Sequence, residues 1–193
     1  MKILKTLFAG IFLLGVTSAN ATLIDVKTII VQHSGISTIP TNQRWLQISE
    51  VVASETGTGA DLALASAGAT ASGTGNWNAA SNPNNAIDGI TYAAFPGIYH
   101  SNSTSLSEAL TITLAVPSSL DFISIFGRQG CCEYRDIYNV TVLNTSGDTI
   151  FRATNLDAAG AAGTSIAVPE PASIAILGLG LVALGATRRT MKI

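Results

Sequence analysis

The chain of 193 residues carries a formal net charge of −2, but five of its ten basic residues lie at its two ends. Between Thr22 and Val168, 147 residues hold only Lys27, Arg44, Arg128, Arg135 and Arg152 against eleven acids, a net charge of −6. That balance argues against nucleic acid and against anionic membrane surfaces as partners, and the length suffices for one domain with a sizeable core.

The chain opens Met1-Lys2-Ile3-Leu4-Lys5, continues in an apolar run from Leu7 to Val16 and reaches Ser18-Ala19-Asn20-Ala21. A positive start, a short apolar stretch and an Ala-x-Ala exit make residues 1–21 a secretory signal peptide, with cleavage expected after Ala21. The competing reading, an uncleaved membrane anchor, is disfavoured by the small residues at Ala19 and Ala21. Residues 22–44 read as an N-terminal extension, in which Lys27 to Gln32 suits an edge strand and Pro40-Thr41-Asn42 a turn.

Residues 45–168 read as one β domain. Trp45 to Val51 alternates as a half-buried strand should. Ala53 to Trp77, rich in Ala, Gly, Ser and Thr, lacks helical periodicity and is expected to be loop with one short strand near Leu62 to Leu64. Asn82 to Gly89 is dense in turn residues. Strand signals then follow closely at Ala109–Val116, Leu120–Phe126, Ile137–Leu143 and Thr149–Ala153, separated by Pro117-Ser118-Ser119 and Thr145-Ser146-Gly147 among other turns. Short β-rich runs with no intervening helix predict an all-β antiparallel fold, a jelly-roll β-sandwich.

The C-terminal end has a different character. Val168-Pro169-Glu170-Pro171 leads into an apolar run from Ala172 to Ala186, then Arg188, Arg189 and Lys192. That run is about 15 residues, roughly 22 Å as a helix, short for a bilayer core of about 30 Å. The basic residues after it act as a stop-transfer signal. A Pro-Glu-Pro, a short Gly-rich apolar helix and a terminal basic cluster resemble the PEP-CTERM sorting signal of Gram-negative bacteria. The resemblance implies a transmembrane helix at about 172–186, a basic tail at 188–193, and transient inner-membrane anchoring. It also implies an exosortase as sorting partner, recognising Pro169, Glu170 and Pro171, and release to the cell surface or its matrix.

Chemistry concentrates in Phe126-Gly127-Arg128-Gln129-Gly130-Cys131-Cys132-Glu133-Tyr134-Arg135-Asp136. Two strand-like runs flank it, so it reads as a hairpin connection, where binding groups tend to sit. It holds the only two cysteines, adjacent to each other, with an arginine three residues to either side. Adjacent cysteines cannot staple distant segments. They close on themselves as a vicinal disulfide, stay reduced, or pair between chains. A vicinal disulfide offers a compact apolar surface to a methyl group or a sugar face. Arginine offers planar multiple donors to ring and hydroxyl oxygens. The bland alternative pairs both arginines with the local carboxylates of Glu133 or Asp136.

Arg128-x-Gly130-Cys131-Cys132-x-x-Arg135 resembles the Arg-x-Asp-Cys-Cys-x-x-Arg segment of fucose-binding F-type lectins, jelly rolls related to discoidin domains and galactose-binding-like in fold. The resemblance implies that Arg128, Arg135 and an upstream histidine hydrogen-bond a sugar while Cys131 and Cys132 pack against it. His100, 28 positions before Arg128 and close to the family's spacing, is the candidate histidine. Asp61-Leu62-Ala63-Leu64-Ala65 and Asn85-Ala86-Ile87-Asp88-Gly89 resemble the family's opening strand and its calcium-binding loop. The family's last strand supplies a further carboxylate, and here the best match, Ile48-Ser49-Glu50-Val51, lies before the domain. A circularly permuted arrangement is therefore expected, with Asn85, Asp88, Ser49 and Glu50 forming a structural calcium site of oxygen ligands. Two departures stand out. Gly130 replaces the family aspartate, and Ser101-Asn102-Ser103-Thr104 replaces the aromatic-rich stretch after the histidine.

Enzymatic classes find no support. No Ser/His/Asp order, zinc spacing or phosphate loop occurs, and no pair of carboxylates is marked out for glycoside hydrolysis. The expectation is an exported, non-catalytic protein binding a glycan or exopolysaccharide through His100, Arg128, Cys131, Cys132 and Arg135. Its rival is a structural matrix component that keeps the fold without a working sugar site.

Overall fold

Apolar side chains recurring at every second position shape the chain over residues 22–160 and 162–167, which the computed structural model describes. The strands are β1 Leu23–His33, β2 Gln47–Glu55, β3 Thr70–Gly73, β4 Tyr99–His100, β5 Ala109–Gly127, β6 Ile137–Asn144, β7 Thr149–Asp157 and β8 Thr164–Ala167. Short 3-10 turns are the only helical elements among the described residues, and every strand pair is antiparallel. The all-β expectation holds.

The 19-residue strand β5 organises the whole. Its first half lies between β1 (Ile29 opposite Ile112) and β3 (Ala71 opposite Ile112). Its second half lies between β2 (Val51 opposite Ile125) and β8 (Ile123 opposite Ile166). One array therefore runs β3-β5-β1-β6-β7 and a second runs β4-β2-β5-β8, with β5 common to both. Leu110, Ile112 and Leu114 point inward from the first half, and Leu120, Ile123 and Ile125 from the second. The strand passes from one array to the other across the exposed stretch Ala115–Pro117, and the inward parity changes between Leu120 and Ile123, opposite the irregularity at Ser54–Glu55 in the β2 pairing. All six side chains belong to one hydrophobic cluster, with Val26, Ile29 and Val31 of β1 and Tyr138, Val140 and Val142 of β6. Complete burial of each large aliphatic side chain contributes roughly 1.5–3 kcal/mol.

Three sequence expectations are corrected. Pro117-Ser118-Ser119 does not reverse the chain but sits inside β5; proline is tolerated there because the β1 pairing is irregular opposite this segment, between Leu23 and Thr28. Lys27–Gln32 is not an edge strand, because β1 is paired on both sides, with β5 and β6. Residues 22–44 contribute this strand to the sheet. The connection from Arg128 to Asp136 is no hairpin, since β5 and β6 are separated by β1. It carries the chain from the second array to the first. The signal peptide at 1–21, Pro169, Glu170 and Pro171, the apolar run 172–186 and the tail 188–193 lie outside the described residues.

Candidate functional site

The crossover 128–136 is shaped by backbone conformations that few residues adopt. Gly130 and Cys132 have φ of 77° and 65°, and Cys132 caps the turn Glu133–Arg135. Cys131 and Cys132 are joined in a vicinal disulfide. Gly127, where the strand ends, packs so closely on Asp136 that a Cβ there would lie 2.2 Å from Asp136 Oδ2.

His100 reaches the same region through β4, which pairs Gln47 opposite His100 and Ile48 opposite Tyr99. The imidazole is buried and both nitrogens are engaged. Nδ1 donates to the Ser101 carbonyl at 2.8 Å, which leaves Nε2 to accept from the Gln47 side-chain amide, also at 2.8 Å. Burial, then the positive charges of Arg128 and Arg135, hold its pKa below the usual histidine value. The charges of both guanidiniums thus act on the histidine in the same direction.

Around His100 stands an aromatic group that sequence reasoning missed. Trp45 and Trp77 meet edge to face at 5.0 Å, and their rings lie 5.4 and 5.5 Å from the imidazole. Phe95 packs edge to face on the imidazole at 5.8 Å and carries the Arg128 guanidinium 5.5 Å above its ring. Trp77 is 53% and Phe95 37% exposed, so apolar ring surface faces solvent beside the arginine. The signal available was that the chain has only two tryptophans. Both converge here, from segments 32 residues apart.

Neither guanidinium makes a hydrogen bond to a carboxylate among the described residues. Arg128 Nε is buried without any partner. Arg135 Nε donates to the Tyr134 hydroxyl at 3.1 Å, and that hydroxyl donates to Gln43 Oε1 at 2.5 Å. Tyr134 is itself exposed and lies under the Arg135 guanidinium. Asp136 faces inward instead. Burial pushes its pKa up to about 8. The Tyr138 hydroxyl touches both the Gln47 carbonyl and Asp136 Oδ1. A single tyrosine proton cannot serve two acceptors, and a protonated Asp136 completes the chain by donating to the tyrosine oxygen.

The second set of candidate residues is divided between β2 (Ser49, Glu50), the turn Pro83–Ala86 (Asn85) and the loop after it (Asp88). Glu50, completely buried on β2, accepts the backbone N–H of Asp88 and of Gly89 through Oε2, at 3.2 and 3.1 Å. Its Oε1 is buried with no partner. Burial above all, with the charges of Asp88 and Asp61, pushes its pKa up to about 8. Ser49 holds the same loop, its hydroxyl donating to the Ile90 carbonyl and accepting from Ala93 N–H. The Asn85 amide donates toward the Ala80, Pro96 and Ile98 carbonyls. The Ser49 hydroxyl and the Asn85 N–H groups are therefore committed to loop bonds, while Asn85 Oδ1 makes no hydrogen bond among the described residues. Among the described residues no group of three or more His, Cys, Asp or Glu forms a metal cluster.

The PEP-CTERM protein-sorting motif matches residues 167–189. That motif implies exosortase-dependent export and a location at the surface or outside the cell. No curated protein and no solved structure matches the chain significantly.

Proposed function

We propose that the domain is a cell-surface or matrix carbohydrate-binding module of jelly-roll type, held transiently at the inner membrane through its C-terminal apolar run before exosortase sorting. The observation that supports this reading is the Arg128 guanidinium over the exposed Phe95, beside exposed Trp77 and buried His100, with the Cys131–Cys132 disulfide and Arg135 on the same crossover as Arg128. Sugars present a hydrogen-bonding edge and an apolar face. Guanidiniums without acid partners serve the edge. Exposed aromatic rings and the disulfide serve the face.

His100 acts here as a neutral group that positions its neighbours, because both ring nitrogens already have partners. Calcium at the Glu50 loop belongs to the same reading. The orphaned Oε1, the nearby Asp88 and the carbonyl-rich loop form an oxygen set that a hard divalent cation would complete. Its chemistry would be structural, fixing the loop that carries Phe95.

The test is glycan-array binding by the full chain purified in detergent with calcium, beside the Arg128→Ala/Arg135→Ala double variant. Glycan binding that disappears in a folded double variant supports the reading. Absence of binding by the folded, calcium-supplied protein favours the matrix-structural alternative.

A further inference from the structure

The charge pattern of the site is unusual for a protein of this composition. The 22–168 segment has only five basic residues against eleven acids, yet two of the five stand within eight positions of each other. Acidic proteins ordinarily neutralise such a pair with their own carboxylates. Here Asp136 is turned into the core, where its carboxyl meets the Tyr138 hydroxyl rather than a guanidinium nitrogen. Glu133 makes no side-chain hydrogen bond to either arginine among the described residues. Arg128 Nε, buried beside the crossover, has no acceptor at all.

Between the two arginines, Gly130 is exposed, and a Cβ built on it meets nothing within 4 Å. Open space therefore lies where a side chain with its own acceptor would stand.

We propose that the site takes a sugar bearing a carboxylate, a uronic acid unit of an acidic polysaccharide, held by Arg128 and Arg135 across the gap left at Gly130. This rests on the carbohydrate-binding reading and narrows it. The carboxylate accepts from the guanidiniums in the planar, multiple-donor geometry that suits arginine. The ring face lies against Trp77 or the Cys131–Cys132 disulfide. The net charge of −6 does not oppose this. At physiological ionic strength the screening length is about 8 Å, so distant acids are damped while the adjacent guanidiniums act at contact range.

The experiment measures binding of the full chain to oligogalacturonate and oligoglucuronate, and to the same oligosaccharides after chemical reduction of their carboxyl groups. The expected result is at least ~10-fold tighter binding to the acidic forms, as charge-assisted hydrogen bonds provide. Gly130→Asp, a residue that tolerates positive φ, places an internal acid in the gap and abolishes the preference. Gly130→Asn, nearly the same shape without charge, retains it and controls for folding. Equal or tighter binding to the reduced oligosaccharides overturns the inference while leaving the glycan reading in place. Binding to neither form, nor to any neutral glycan, overturns both.

Discussion

Glu50 and Asp88, 38 residues apart in sequence, meet where Glu50 Oε2 accepts the Asp88 backbone N–H at 3.2 Å. The contact joins strand β2 to the loop carrying Phe95, and it leaves a fully buried carboxylate with one oxygen unsatisfied. Burial, with the charges of Asp88 and Asp61, pushes its pKa up to about 8, so a bound cation would favour the ionised carboxylate at neutral pH. Calcium is therefore expected to raise the melting temperature over that in EDTA. At a hundredfold excess over Kd the stabilisation is about 2.7 kcal/mol, or roughly 5–10 °C. Glu50→Gln should remove the calcium-dependent part, because an amide is a poor ligand for a hard cation. Identical melting curves of the wild type with and without calcium would sink the metal site.

Trp77 separates binding from folding. It is 53% exposed and packs edge to face on Trp45. Trp77→Ala should weaken glycan binding by roughly 2- to 10-fold, the worth of an aromatic contact of about 0.5–1.5 kcal/mol. Its melting temperature should stay within about 3 °C of the wild type. Titration calorimetry beside a thermal melt reads both, and unchanged affinity would remove Trp77 from the site.

Gly127→Ala tests the close packing that aims the crossover. Its Cβ would fall 2.2 Å from Asp136 Oδ2, so either the strand end or the buried carboxylate must shift. Overpacking of this kind costs roughly 1–3 kcal/mol, a fall of about 3–10 °C in melting temperature. Displacing Asp136 also disturbs its bond to Tyr138, and binding should weaken along with stability. A variant as stable as the wild type would show that the crossover yields at no cost.

Stability should depend on pH in a definite direction. Burial raises Asp136 from 3.8 to about 8, so its contribution is complete below pH 4 and is lost as pH rises to 8. Glu50, with no metal bound, behaves alike, losing its contribution between 4.5 and about 8. His33 runs the other way. Burial first, and then the charge of Arg44, lower it from 6.5 to about 4, so its contribution is present above pH 6.5 and is lost as pH falls through 4. In EDTA the melting temperature should therefore fall from pH 6.5 to pH 9. Asp136→Asn should flatten part of that fall, and adding Glu50→Gln most of the rest. A wild-type melting temperature that rises over this interval would contradict the protonated state of both carboxyls.

Local pattern settled a good deal by itself. Period-two alternation marks most of the strands, and the order Pro-Glu-Pro, apolar run, basic tail marks a sorting signal that needs no fold to be read. The Cys131–Cys132 adjacency and the flanking arginines are visible as a motif, and the histidine spacing points to His100. What the tertiary structure decided is which strands are neighbours. Nothing local places β1 between β5 and β6, or keeps Pro117 within one continuous strand, because partner choice depends on burial shared by distant segments. The aromatic surround of His100 has the same origin: Trp45, Trp77 and Phe95 come from three separate segments brought together by the β2–β4 pairing and its loops. Sequence spacing shows residues that share a strand; side chains that share a surface are set by the packing of the whole core.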